Sequence, residues 1–216
     1  MKVQLKTITP NIETSIVEIA RVSSSRKNKS TKPEKLITYL IENKHFSPFE
    51  HGFMTLEIET SKAIAIQLLR HRSFTFQELS QRYQNVTTAF KEDMYEPIEL
   101  RKQCNNNRQS STEVFDPVMN SGMKASQEIE LHNNRTKGLY SALIAKGVAR
   151  ECARFVLPTC SKTIMYMSGS VRSWIHFLSI RDDSHAQKEM QLVANECKSI
   201  FIEQLPIISK ALEYSV

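Results

Sequence analysis

The sequence predicts an α+β fold, a single helix-rich domain over residues 1–216 with a small, mostly antiparallel sheet. Two observations predict it. Apolar residues recur at helical spacing over most of the chain, the pattern of amphipathic helices. Only three short stretches, 2–8, 54–58 and 159–168, read as strands, too few for anything but a small sheet.

Taken in order, Met1-Lys2-Val3-Gln4-Leu5-Lys6 alternates as a strand does. Residues 13–22 read as a short helix ending at Ala20-Arg21-Val22-Ser23, and 24–32 as a polar loop. Thr31-Lys32-Pro33-Glu34 has the capping-box pattern with proline in the first turn. Leu36, Ile37, Leu40 and Ile41 continue that helix to about Asn43. Residues 45–51 read as a loop. In the strand after it, Met54, Leu56 and Ile58 alternate with Thr55, Glu57 and Glu59. Ser61 is placed to cap a helix over 62–71 whose polar face carries Gln67, Arg70 and His71 at i, i+3 and i+4. Residues 101–127 are rich in Asn and Ser and read as a surface insertion. A long helix over 124–146, a shorter one over 148–157 and a strand over 159–168 follow. Ser170 caps a helix to Ile180, and Ser184 opens a last helix that Pro206 interrupts.

Composition narrows the function. The five glycines form neither GxGxxG nor a phosphate loop, so side chains and helix ends must hold any dinucleotide. The four cysteines lack CxxC spacing and read as reduced thiols, and no metal-site pattern joins the histidines. The net charge of +6 favours an anionic ligand. No apolar run approaches the ~20 residues that span a bilayer, and the first residues lack a signal-peptide core, so the expectation is a cytoplasmic protein without a membrane partner, in the host cytoplasm if the gene is viral.

The densest chemistry lies in residues 67–83, where Arg70, His71, Arg72, Glu78, Ser80 and Arg82 gather. Arginine forks bind phosphate oxygens bidentately, and two separate arginine groups suit two separate anions. A solvated basic helix end is the plainer alternative, although Phe74 and Phe76 inside the cluster argue against it. A nucleic-acid-binding module is a further alternative, disfavoured by acidic residues spread along the chain and by Glu78 within the patch. A different flavoprotein or nucleotide-binding enzyme is another.

Arg70-His71-Arg72, seven residues, then Ser80-Gln81-Arg82 resembles the motif of the flavin-dependent thymidylate synthases. His45-x-Ser47-Pro48-Phe49-Glu50-His51, Ala149-Arg150-Glu151-x-Ala153-Arg154 through Pro158, and Ser170-x-Arg172 through Arg181 and Ala186-Gln187-x-Glu189 resemble further segments of that family. The family prefers Asn where Ser170 and His176 stand. The resemblance implies a homotetrameric α+β enzyme that binds FAD, takes methylenetetrahydrofolate and NADPH as co-substrates, and converts dUMP to dTMP. It implies flavin contacts at Ser47, Arg70, His71, Arg72, Glu78, Ser170, Arg172 and His176. It places Gln67, Arg70, Glu78, Leu79, Ser80, Gln81, Arg82, Arg154 and Arg181 around dUMP, with Arg181 favouring ionisation of the uracil ring. Left to spacing alone, His176 reads as a half-buried histidine and Arg154 as the partner of Glu151. Pro158-Thr159-Cys160-Ser161 lacks the Pro-Cys-His setting of a cysteine nucleophile, so hydride chemistry from reduced flavin is expected instead.

Overall fold

The computed structural model describes residues 1–23, 32–91, 93–181 and 186–214. Six strands are described: β1 (Lys2–Ile8), β2 (Phe53–Ser61), β3 (Thr75–Glu78), β4 (Arg101–Gln103), β5 (Ser111–Val114) and β6 (Lys162–Ser170). The helices are α1 (Ile12–Ala20), α2 (Pro33–Glu42), α3 (Lys62–Leu68), α4 (Val86–Phe90), α5 (Ala125–Ala145), α6 (Arg150–Ala153), α7 (Val171–Arg181), α8 (Lys188–Gln204) and α9 (Pro206–Ala211). The predicted helix-rich α+β class with a small antiparallel sheet is observed.

The main sheet has the order β1-β2-β6-β3. Its pairings run antiparallel, as residue numbers rise along one strand while they fall along its neighbour. Thr9 N–H donates to Phe53 O at 2.9 Å, and Lys6 meets Glu57 at 2.9 Å. Thr55 donates to Ser168 at 2.9 Å, and Lys62 N–H to Ser161 O at 2.9 Å. β4 and β5 form a separate antiparallel pair.

The chain divides into two compact units. One comprises 2–58, 69–77 and 165–216, and the other Met1, 59–68 and 78–164. In the first, α8 packs on α7, α9 and β1, and α2 packs on α9. Its core holds Ile16, Ile37, Phe49, Leu56, Trp174, Phe177 and Phe201, all fully buried. Gly169 belongs there for a steric reason, since a Cβ would stand 2.5 Å from the Phe74 ring. Phe74 in turn meets Trp174 edge-on at 4.8 Å. In the second unit, Val86, Met94, Tyr140 and Ala153 form a core flanked by Phe90, Leu143 and Leu157.

Several local readings hold. Pro33 opens α2, Ser61 Oγ accepts the Ile64 N–H at 3.3 Å, and Ser170 Oγ accepts the Ser173 N–H at 3.3 Å. Others change. Thr31, Ser184 and the loop residues 24–31 lie outside the described residues, and α8 begins at Lys188. Residues 47–51 wind into a short 3-10 helix instead of a loop. α3 stops at Leu68, so Arg70 and His71 do not share a helix face with Gln67. Beyond it, a Phe74 N–H to His71 O bond of 3.1 Å closes a tight turn, and tertiary packing of His71 overrides helix propensity. Residues 101–127 are not all irregular: they contain the β4–β5 hairpin, tied by Arg101 Nε donating to Ser111 Oγ at 2.9 Å.

Candidate functional site

In the first unit the candidate residues converge on α7 and on the turn carrying Arg70-His71-Arg72. Arg181, in the last turn of α7, donates from Nε to His71 Nε2 at 2.9 Å. The imidazole is set edge-on against Phe177 at 5.0 Å and Phe74 at 6.4 Å. Burial, and then the charge of Arg181 and of His176, lowers the His71 pKa from 6.5 to about 4. His71 is therefore neutral near pH 7. Because Nε2 accepts, its proton sits on Nδ1.

That pairing carries a pH dependence. A histidine whose pKa is lower in the folded than in the unfolded state contributes stability that is complete above the unfolded pKa and is lost as pH falls through the folded one. The window here runs from about pH 6.5 down to about pH 4. Asparagine can accept from Arg181 without titrating. The stability of the wild type relative to His71→Asn, followed by urea unfolding, is expected to decline across that window. Parallel curves for the two proteins would remove the assignment.

Arg172 and His176, one turn apart on α7, both line an open cleft of about 680 Å³ with Phe46, Glu50, Ser73 and Ile175. His176 is exposed there, not the half-buried histidine that spacing suggests. Glu50 takes the Arg172 guanidinium at 2.9 Å on one oxygen and the Ser170 hydroxyl at 2.7 Å on the other. Ser170 is buried and also lies 3.2 Å from Ser173 Oγ, so its hydroxyl faces protein partners. Ser47 lines a different cleft of about 860 Å³ with Tyr39, His45 and His51. Arg70 and Arg72 are exposed and make no ion pair among the described residues.

The second unit holds the other half of the motif. Glu78 accepts from Lys62 at 2.6 Å and from Thr163 at 2.8 Å through one oxygen. Leu79 N–H continues the sheet by donating to Ile164 O at 2.8 Å. Ser80 O then accepts from the Tyr83 and Gln84 N–H groups at 3.0 and 2.9 Å, which closes a turn. Gln81 Nε2 is buried without a hydrogen-bond partner among the described residues, an unsatisfied donor of a kind that costs about 1–3 kcal/mol. Arg82 pairs with Glu151 at 3.3 Å, so Glu151 takes Arg82 and not Arg154. Arg154 stands 5.7 Å over the Phe155 ring. Gln67 lies in the last turn of α3.

Four residues now join the set: Glu50, already a polar candidate in its loop, and Arg150, Lys62 and Thr163, which had no predicted role. Glu50 and Arg150 stand inside motif segments, so position marked them. Lys62 and Thr163 carried no local signal, because they reach Glu78 from 16 and 85 residues away. Cys160 is buried, its thiol 3.6 Å from Asn133 Oδ1, and burial pushes its pKa up. Thiolate attack needs the opposite environment. Among the described residues no helix is long and apolar enough to cross a membrane.

Residues 4–207 match the family model described as thymidylate synthase complementing protein. The chain is 42% identical over 200 residues to the probable flavin-dependent thymidylate synthase of Paramecium bursaria Chlorella virus 1, covering 92% of this chain and 89% of that one. It is 42% identical over 199 residues to the flavin-dependent thymidylate synthase of Synechocystis sp., covering 92% and 88%. A Thermus thermophilus enzyme of the same name is 34% identical over 199 residues, covering 92% and 70%. With its motif carried intact on the turns and strand described above, the chain belongs to the flavin-dependent thymidylate synthase family.

Proposed function

We propose that the protein makes dTMP from dUMP by reductive methylation, with methylenetetrahydrofolate as the carbon donor, FAD as the hydride carrier and NADPH as its reductant. The observation that carries the reading is the pair Arg70 and Arg72, exposed and without ion pairs among the described residues, beside a neutral His71 that holds Arg181. Arginine forks without ion pairs among the described residues suit the phosphates of a cofactor such as FAD.

The cleft on α7 fits FAD. Its volume falls within the ~300–1,000 Å³ of small-molecule sites, Phe46 and Ile175 supply apolar walls, and Arg172, His176 and Glu50 supply polar edges. Arg172 and His176 would hold the flavin there, with Arg70, His71 and Arg72 as further contacts; Ser170 is held by Glu50 and Ser173 and Ser47 lines a separate cleft, so neither meets flavin in this one. Bound flavin supplies hydride transfer. The protein's own work is electrostatic. Among the described residues Arg181 bonds only through Nε, to His71, so its two Nη groups would stabilise negative charge on the uracil ring. Ser80, Gln81, Arg82 and Arg154 would gather the nucleotide phosphate, with Gln67 and Leu79 alongside. A ligand oxygen on Gln81 Nε2 would relieve its unsatisfied burial.

Homotetrameric assembly in the cytoplasm, with active sites shared between subunits, is part of the proposal. Apolar side chains displayed by the second unit, Leu131 and Leu139 on α5 and Phe155 after α6, support association.

The test is direct. The purified protein is expected to carry a visible flavin spectrum and to form dTMP from dUMP, methylenetetrahydrofolate and NADPH. Cys160→Ala is expected to keep turnover within about threefold of wild type, because a buried thiol of raised pKa attacks nothing. A colourless protein that never takes up FAD overturns the proposal. Loss of turnover in folded Cys160→Ala overturns the exclusion of a cysteine nucleophile.

A further inference from the structure

The turn that presents Ser80, Gln81 and Arg82 is gripped from outside by two consecutive residues of α6. Arg150 Nη1 donates to the Tyr83 carbonyl at 2.7 Å, across 67 residues of chain. The neighbouring Glu151 takes Arg82 at 3.3 Å. Adjacent residues of one helix turn thus hold adjacent residues of the turn, one by its backbone and one by its side chain.

The two bonds differ in consequence. The Arg82–Glu151 pair is exposed on both sides, with side chains 59% and 55% accessible, and exposed pairs are worth little. It also uses one guanidinium nitrogen, and among the described residues the other N–H groups of Arg82 have no partner and can meet an anion. The Arg150 bond is exposed as well, but it is charge-assisted and short, and it ends on a main-chain oxygen. Gln84 N–H, which shares a peptide with the Tyr83 carbonyl, donates to Ser80 O at 2.9 Å, so fixing Tyr83 O fixes the peptide that closes the turn on Ser80. Tyr83 is 75% exposed, so side-chain packing does little to hold this peptide.

We infer that Arg150 is a positioning residue for the phosphate end of the nucleotide site, acting through the Tyr83 carbonyl to set the Ser80–Gln84 turn around a phosphomonoester. The inference rests on the proposed dUMP reading of Ser80 and Arg82. Arg150 itself does not touch the ligand. It makes the turn rigid before binding, so that the phosphate meets N–H and O–H donors already in place, which is the gain of preorganisation.

The test compares dUMP with deoxyuridine, which lacks the phosphate, by titrating each into the flavin-loaded enzyme and following calorimetry or the flavin absorbance. In Arg150→Met the ratio of the two affinities is expected to fall about tenfold, the size of one charge-assisted hydrogen bond, while deoxyuridine binding and the thermal unfolding midpoint change little. With Arg82→Met already in place, adding Arg150→Met is expected to lower the ratio by less than about twofold. An unchanged ratio in Arg150→Met overturns the inference. So does a fully additive double variant, which would mean that Arg150 meets the phosphate itself. An equal weakening of dUMP and deoxyuridine overturns it too, because a merely structural role gives that result. If the wild type binds no dUMP, the functional proposal fails first, and that outcome is distinct from the others.

Discussion

Arg181→Ala is expected to reduce turnover by about 10²–10³-fold or more, the scale of removing one preorganised charge-stabilising donor, while FAD stays bound. The physical basis is the split use of the guanidinium. Nε is committed to a neutral imidazole 2.9 Å away, and that bond fixes the plane in which the two Nη groups project. Alanine removes the fork and leaves His71 Nε2 an acceptor without its donor. The proposed flavin contacts are other residues, Arg172 and His176 on α7 and the exposed Arg70 and Arg72, so the flavin spectrum should persist. Arg181→Lys restores a charge but not a planar fork, and is expected to recover only part of the rate. Steady-state dTMP formation beside the flavin absorbance separates the cases. If flavin is lost and turnover returns on adding FAD, Arg181 holds the cofactor and not the uracil.

Trp174→Ala is the change expected to destabilise the protein most. Trp174 is fully buried, its Nε1–H donates to Met54 O at 3.0 Å, and its ring meets Phe74 and Phe177 edge-on at 4.8 and 5.7 Å. Truncation removes a large apolar volume and the buried hydrogen bond to Met54 O. The expected cost is about 3–5 kcal/mol, which for a chain of this size lowers the unfolding midpoint by roughly 10 °C. Trp174→Phe keeps most of the packing and gives up the hydrogen bond, so it should fall well short of that. A calorimetric scan that finds Trp174→Ala within 2 °C or so of wild type, against that scale, would mean that the aromatic cluster does not hold this unit together.

The parts of the fold that were legible in the sequence are those with a repeated physical signal. Leu36, Ile37, Leu40 and Ile41 mark one face of α2, and Pro33 marks its start. Met54, Leu56 and Ile58 mark the buried face of β2. β3 was not legible, because four residues offer too little alternation and Thr75–Glu78 sits inside a cluster that reads as chemistry. The β4–β5 hairpin was not legible either. Its strands are short, mostly exposed and polar, so no apolar face betrays them.

The candidate site divides in the same way. Arg172 with His176 follows from helical spacing, and both do line one cleft. The Arg181–His71 bond spans 110 residues and the Arg82–Glu151 pair 69, and no local pattern encodes such contacts. The end of α3 misled for a related reason. Gln67, Arg70 and His71 have helical spacing, yet His71 finds its partners on α7, and the chain leaves the helix at Leu68.

β3 gives the seven-residue spacer its meaning. Arg70-His71-Arg72 and Ser80-Gln81-Arg82 fall in different units, and the residues joining them include this strand. Successive side chains of a strand point to opposite faces, so the segment works as a ruler with a two-residue graduation. Losing or gaining one residue between Ser73 and Leu79 would exchange the faces presented by Phe74, Phe76 and Glu78, taking Glu78 away from Lys62 and Thr163. A change of two would restore the faces but shift every residue beyond by about 7 Å along the strand. The spacing in the motif is thus a register that keeps Phe74 on Trp174 and Glu78 on Lys62 and Thr163.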